Sequence, residues 1–329
     1  MAACLRRDKS LTYGPTESYR EPTKNSIRFL ALGDFGGKTD FPFTPPIQNA
    51  VAAQTAKLAK QNPIDFVLTL GDNFYEHGVE SVDDPRFTET YGRVFHQKSL
   101  EVDWYIVGGN HDYRGNISAQ IAYTKVSKRW KYPDFFYKLK YTIPGSDMVL
   151  EIIMIDTVIL CGKTDDATDM ILLGPASIVE AKKQWKWIRK NIEKSTADYL
   201  IVAGHYPVIS VSSHGPTKTL VDILDPLLHA NNVTAYFSGH DHNLQHLQSR
   251  QQQSKVDYFV SGAADKMDPS MEHKGDVPSG ALKFFAGKTI PLGGFGHVEV
   301  YKENMTFTFS DSYGKALYQH VMFPRHVRK

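Results

Sequence analysis

The sequence predicts an α/β fold of two packed sheets with helices on the outside. Three observations carry that expectation. Short apolar runs repeatedly end in a glycine followed at once by a polar residue. Helix-like segments separate several of these runs in the first part of the chain, and after residue 242 it breaks into short strands and glycine turns.

The strand ends are the most informative feature. Phe66-Val67-Leu68-Thr69-Leu70 leads into Gly71-Asp72-Asn73-Phe74-Tyr75, which reads as a buried strand stopping at a polar loop. The same grammar recurs at Gly33-Asp34, Gly109-Asn110, Gly204-His205 and Gly239-His240-Asp241-His242. Glycine at such a place lets the chain turn sharply and lets backbones crowd together. Ligands of open α/β sheets sit at the carboxyl ends of strands, so these ends are expected to converge on one site.

The remaining elements follow in order. The first strand begins at about Ile27, and a Gly36-Gly37 turn with a proline-rich loop follows it. Residues 47–60 read as an amphipathic helix with Val51, Thr55, Leu58 and Ala59 on one stripe. A helix is expected near residues 87–96 and a third strand over 104–107. Residues 135–143 and 148–155 read as strands joined at Pro144-Gly145, and residues 161–175 as a polar, acidic loop. A long helix over 178–194 carries Trp185 and Trp187, read as packing residues, and a further helix spans 217–230. Short strands at 258–260, 297–301 and 305–310 close the chain. No linker divides the globular part, so residues 25–329 read as one domain behind a loosely ordered leader, residues 1–24.

Composition narrows the partners. Of 329 residues 41% are hydrophobic and 22% charged, which excludes disorder and a membrane protein as classes. A net charge of +2, from 38 basic and 36 acidic side chains, argues for neither nucleic acid nor an anionic membrane as partner. With two cysteines, Cys4 and Cys161, no disulfide framework organises the fold. Arg6-Arg7 has no apolar segment behind it, so the amino terminus does not read as a secretory signal. Glycosylation sequons nonetheless begin at Asn116, Asn232 and Asn304.

A single Gly-Asp after a strand is ordinarily a turn whose carboxylate caps a nearby amide. Five strand ends finishing in Asp, Asp, Asn, His and His-x-His are not explained that way. In extended chain His240 and His242 would face one side and Asp241 the other, as a supporting residue. Oxygen and imidazole donors without thiolate favour iron, manganese or zinc. Asp34, Asp72, Tyr75, Asn110, His205, His240 and His242 are too many for one tetrahedral zinc but suit two metals sharing a carboxylate.

Gly33-Asp34-Phe35-Gly36, Gly71-Asp72-Asn73-Phe74-Tyr75, Gly109-Asn110-His111-Asp112, Gly204-His205-Tyr206-Pro207 and Gly239-His240-Asp241-His242 resemble the five motifs of the purple acid phosphatases, above all the small animal form, the tartrate-resistant acid phosphatases. The resemblance runs from about Ile27 to the carboxyl end and includes His214-Gly215-Pro216-Thr217. It implies a four-layer metallophosphoesterase sandwich, two mixed sheets face to face with helices outside. Asp72 would bridge the metals; Asp34, Tyr75 and His242 would hold Fe(III); Asn110, His205 and His240 would hold a divalent iron, zinc or manganese. Tyr75 would replace the histidine that the wider family carries at Gly36. A hydroxide held by the metals would attack a phosphate monoester, and His111 or His214 would protonate the leaving alcohol.

The resemblance also implies a monomer acting on phosphate monoesters or phosphoproteins in a lysosomal or secreted setting, with a cytoplasmic one left open by the amino terminus. Asp165 and Asp166 resemble an inhibitory loop over the metals, and Thr219 stands where such enzymes carry a partner for the Cys161 position. Two other readings compete: a phosphodiesterase of the same fold, and an iron-binding redox or storage protein. His77, His96, His229, His246, His273, His297 and His320 read as structural histidines.

Overall fold

The computed structural model describes residues 24–165, 167–251, 254–288 and 293–325. The expected leader therefore lies outside the described residues except for Lys24, whose ammonium pairs with Asp65.

One sheet contains β1 (Ile27–Leu32), β2 (Phe66–Thr69), β3 (Asp103–Tyr105), β4 (Trp130–Lys131), β12 (Gly294–Val300), β13 (Met305–Asp311) and β14 (Ala316–Met322), in the order β14-β13-β12-β1-β2-β3-β4. The other contains β5 (Tyr137–Thr142), β6 (Val149–Met154), β7 (Tyr199–Ala203), β8 (Ala235–Ser238), β9 (Leu244–Gln251), β10 (Ser254–Ser261) and β11 (Leu282–Ala286), in the order β11-β9-β10-β8-β7-β6-β5. Both are mixed. β1 to β4 run parallel in the first, and β6, β7, β8 and β10 in the second, with antiparallel strands on one side of the first block and on both sides of the second.

The space between the sheets is filled by aromatic side chains. Phe29 stacks on Phe66 at 4.7 Å and Phe259 on Phe307 at 4.0 Å. Each fully buried ring contributes roughly 1.5–3 kcal/mol. A second core of Ile153, Ile188, Ile192, Leu200, Val202 and Val256 lies on the outer face of the second sheet. It is roofed by α4 (Ile178–Lys194) and α5 (Asp225–Ala230), while α1 (Pro46–Gln61) covers the first sheet. The result is the expected sandwich, helix to helix across two sheets.

The helices form where their sequences dictate. Pro46 opens α1, where its missing N–H costs nothing, and Val51, Ala52, Thr55, Ala56 and Ala59 turn inward. Ser177 caps α4 by accepting from the Glu180 amide, and Ala181, Gln184, Ile188 and Ile192 make its buried stripe. Two expected helices differ. Residues 87–96 form only a wide π-type turn, Phe87–Gly92, rich in residues of weak helix propensity. Residues 217–230 split into a π-type turn, Leu220–Leu224, and α5, because Pro226 has no N–H to continue the ladder. A short helix, α2 (Ile117–Tyr123), was not expected, and the start of the 161–175 loop closes α3 (Thr157–Cys161).

Candidate metal centre

The parallel strands deliver the expected side chains to one place. Asp34, Asp72 and His240, each just beyond a strand, adopt left-handed backbone with φ of 59°, 51° and 72°. L-residues pay for that conformation, so its concentration here marks a site where position outweighs local comfort. It also corrects the expectation of extended chain at His240 and His242: the turn at His240, not strand alternation, brings both imidazoles to the centre. Gly109 shows how close the approach is, since a Cβ there would lie 2.2 Å from Asp72 Oδ1.

The donors fall into two groups about Asp72. In one, the Tyr75 hydroxyl lies 3.0 Å from Asp34 Oδ1 and 3.0 Å from His242 Nε2, and His242 Nε2 is 3.7 Å from Asp34 Oδ1. In the other, His205 Nε2 lies 2.8 Å from Asn110 Oδ1 and 3.5 Å from Asp72 Oδ1, and His240 joins Asp72 and His205 within 4.8 Å. Donors around one ion at ordinary bond lengths stand about 3.0–3.4 Å apart, so the spacings fit metal binding.

The electrostatics fit it too. Asp34 and Asp72 are buried against imidazoles, a phenol and backbone amides rather than a lysine or arginine. Burial pushes the Asp34 carboxyl well up, with His205 pulling against it and Asp72 adding to the rise. Burial and the same two carboxylates push the Tyr75 phenol well up. His240 is driven well down by burial and by His214 and His205, and His242 falls to about 4 through burial and Lys266. Both imidazoles therefore present lone pairs. His205 rises to about 10, because Asp72 outweighs the burial that would lower it. A pocket that draws a proton onto His205 beside Asp72 is one that favours a cation.

Gly36 fits the expected replacement of a histidine by Tyr75. A Cβ at Gly36 would lie 2.6 Å from the Tyr75 amide nitrogen, so no histidine fits there while Tyr75 occupies its place. The buried Arg86 guanidinium ties the two loops, donating to the Tyr75 carbonyl and, at 2.5 Å, to the Gly36 carbonyl. Asp112 holds the neighbouring turn, accepting from the Asn73, Phe74 and Gly109 amides and from Gln120. Nothing in the sequence singled out Arg86. Asp112 stood inside a quoted motif, but its role as an acceptor of backbone amides depends on loops distant in sequence.

Both candidate acids line the centre. His214 Nδ1 lies 2.7 Å from Asp241 Oδ1, and its ring is 3.9 Å from that of His240. Burial lowers its pKa, but Asp241 raises it further and the net shift is upward. Asp241 also accepts from Ser210, so it supports His214 rather than facing the donors. His111 rises to about 9, with burial overcome by Asp72 and Asp169.

The acidic loop reaches the centre through a different residue from those expected. Asp165 is turned to its own loop, accepting from the Ala167, Thr168 and Ile171 amides, and Asp166 lies outside the described residues. Asp169 is the carboxylate that arrives. It accepts from Asn110 Nδ2 at 3.1 Å, pairs with Arg114 at 2.6 Å and lies 2.9 Å from His111 Nε2. An Asp165-centred loop satisfies its own amides, and the left-handed Asp169, φ 62°, then points inward. Cys161 is a buried free thiol pushed up to about 12 by burial, and the Thr219 hydroxyl hydrogen-bonds to it. Of the sequon asparagines, Asn116 and Asn232 are exposed and Asn304 is half-buried; Asn116 also caps α2.

Fold and centre together define a metallophosphoesterase. The chain belongs to the calcineurin-like phosphoesterase family, whose model matches residues 27–244. It is 45% identical to tartrate-resistant acid phosphatase type 5 of Homo sapiens over 304 residues, 92% of each chain. It is 30% identical to purple acid phosphatase 4 of Arabidopsis thaliana, covering 89% of this chain and 83% of that one. These relatives place it among the purple acid phosphatases, as an enzyme of the acid phosphatase class. Among solved structures, GAP50, described as the anchor in the inner membrane complex of Plasmodium, shares the fold with a TM-score of 0.77 at 22% identity, over 93% of this chain and 91% of that one. Among the described residues no helix is long and apolar enough to cross a membrane.

Proposed function

We propose that the chain hydrolyses phosphate monoesters, phosphoproteins included, at an Fe(III)–M(II) centre in which M is iron, zinc or manganese. Asp34, Tyr75 and His242 would hold the ferric ion, Asn110, His205 and His240 its partner, and Asp72 both. The observation that carries this reading is the division of donors: a phenol with a carboxylate on one side, an amide oxygen with imidazoles on the other. Bound there, the two metals supply Lewis acidity toward a phosphoryl oxygen and lower the pKa of a water.

The chain's own residues complete the chemistry. Asp241 holds His214 by Nδ1 and favours the protonated ring, which offers the Nε2 proton to the oxygen of the departing alcohol. His111, held near Asp72 and protonated well above neutral pH, offers its Nε2–H to a phosphate oxygen once Asp169 moves away. Arg114 adds positive charge at the same mouth. Asp169 stands where a substrate anion would be bound, so the loop limits access. A lysosomal or secreted setting belongs to the same reading, with exposed Asn232 as a glycan acceptor in it.

Metal analysis of the purified protein, with turnover of a monoester and a diester across acid pH, tests the proposal. Two metals per chain, one of them iron, and preference for the monoester are expected. Faster diester turnover points to a phosphodiesterase, and iron without turnover to a redox or storage protein; either overturns the reading.

A further inference from the structure

A second cluster of metal-binding side chains lies at the seam between the sheets, away from the centre just described. His246 on β9, Asp257 on β10 and His320 on β14 bring one donor atom each within 4.8 Å of one another. Asp257 is four residues before Ser261, at the end of β10 nearer the centre, so it stands roughly 13 Å further back along the strand.

The cluster is built, not casual. His246 is fully buried, its ring stacked on Phe259 at 4.5 Å and 7°. Its Nδ1 lies 2.8 Å from the Tyr318 hydroxyl, and its Nε2 lies 2.9 Å from Asp257 Oδ1. His320 Nε2 approaches the same Asp257 oxygen at 3.3 Å. Gln248 Nε2 donates to that oxygen at 2.9 Å and holds the carboxylate in place. Donors of a tetrahedral zinc site stand about 3.3 Å apart, and a ligating histidine has its other nitrogen bonded to an orienting group. Tyr318 is that group here.

One side chain now fills the cation's electrostatic role. The Lys255 ammonium lies 3.3 Å from Asp257 Oδ2 and 3.5 Å from His320 Nε2. Its side chain is 36% exposed on a flexible stem, so it can turn out to solvent. Burial lowers the pKa of His246, with Asp257 opposing and His320 and Lys255 adding to the fall, and a neutral imidazole is the form a metal needs.

We propose that His246, Asp257 and His320 form a zinc site that staples β14 of one sheet to β9 and β10 of the other, with water as fourth ligand and Lys255 as its competitor. Its role would be to join strands of the two sheets that otherwise meet through side chains.

Zinc titration of the full chain against a chromophoric chelator tests this, with wild type and variants compared in the same solution so that any exchange at the catalytic centre cancels. Wild type should bind one equivalent more than His320→Ala, and zinc should raise the thermal midpoint of the former more than the latter. Tyr318→Phe should weaken that equivalent by about 10-fold. Lys255→Met should tighten it, because the competing ammonium is gone. Equal zinc uptake by wild type and His320→Ala overturns the proposal, and so does a Lys255→Met protein that binds zinc no more tightly than wild type. His320 is partly exposed on an outer strand and Lys255 lies on the surface, so neither variant depends on refilling a core.

Discussion

The candidate metal centre and the His246–Asp257–His320 cluster use the same vocabulary of imidazole and carboxylate but are assembled by different means. The centre takes its candidate donors from loops just past strand ends, three of them in left-handed backbone. The seam cluster takes its donors from regular strand positions, two on neighbouring strands of one sheet and the third on β14 of the other, so strand register and the packing of the two sheets set the spacing. The seam also has an ammonium standing against its carboxylate, whereas Asp34 and Asp72 face imidazoles, a phenol and amides. Strand positions give a fixed but modest site. Strained loops can aim seven donors at one point, and the cost is met by the packing that surrounds them.

The sharpest way to break the comparison is at Tyr75. Tyr75→Phe removes one oxygen and keeps a fully buried ring, so packing is retained. The variant should lose iron and with it the visible phenolate-to-iron absorption. A coloured, iron-replete Tyr75→Phe protein would show that the phenol is a core group whose hydrogen bond is worth about 1 kcal/mol.

The next effect concerns the histidine supported by Asp241. His214→Ala should lower turnover by about 10²–10⁴-fold with metal content unchanged, and the loss should shrink for substrates with good leaving groups. A loss independent of the leaving group removes His214 from acid catalysis.

Smaller, and opposite in sign, is the effect of the loop. Asp169→Ala should raise turnover a few-fold, because it removes the histidine–carboxylate contact that now occupies the mouth. Asp165→Ala, which touches only its own loop, should not match that rise. Equal kinetics in both variants and wild type would reduce the loop to a connection.

The smallest effect is on stability. His214 has its folded pKa raised above the ordinary 6.5 by Asp241 despite burial. Its contribution is therefore full below about pH 6.5 and is lost as pH rises through the folded value. The thermal midpoint of wild type should exceed that of His214→Gln most at acid pH, with the gap narrowing above neutrality. A gap that widens with pH reverses the sign and removes the ion pair from the account.

The sequence by itself determined the strand-then-glycine grammar, and with it the convergence of Asp34, Asp72, Tyr75, Asn110, His205, His240 and His242. Those signals are local: an apolar run, a residue that permits close approach, and a donor next to it in the chain. The helix over 178–194 was legible for the same reason, since its cap and its apolar stripe lie within one segment. What tertiary structure decided is everything that depends on partners distant in sequence. β9, with Gln245, His246 and Gln248 buried, reads as polar chain until β10 and β14 supply its hydrogen bonds. Arg86 looks like an ordinary loop arginine until Gly36 and Tyr75 present their carbonyls to it. In the sequence Asp169 is one more loop aspartate beside Asp165 and Asp166. Which one caps its own turn and which reaches His111 is set by the fold of a loop closed by the Thr164–Leu172 bridge. Hydrophobic periodicity is written along the chain, whereas the pairing of polar groups is a property of the space into which the chain folds.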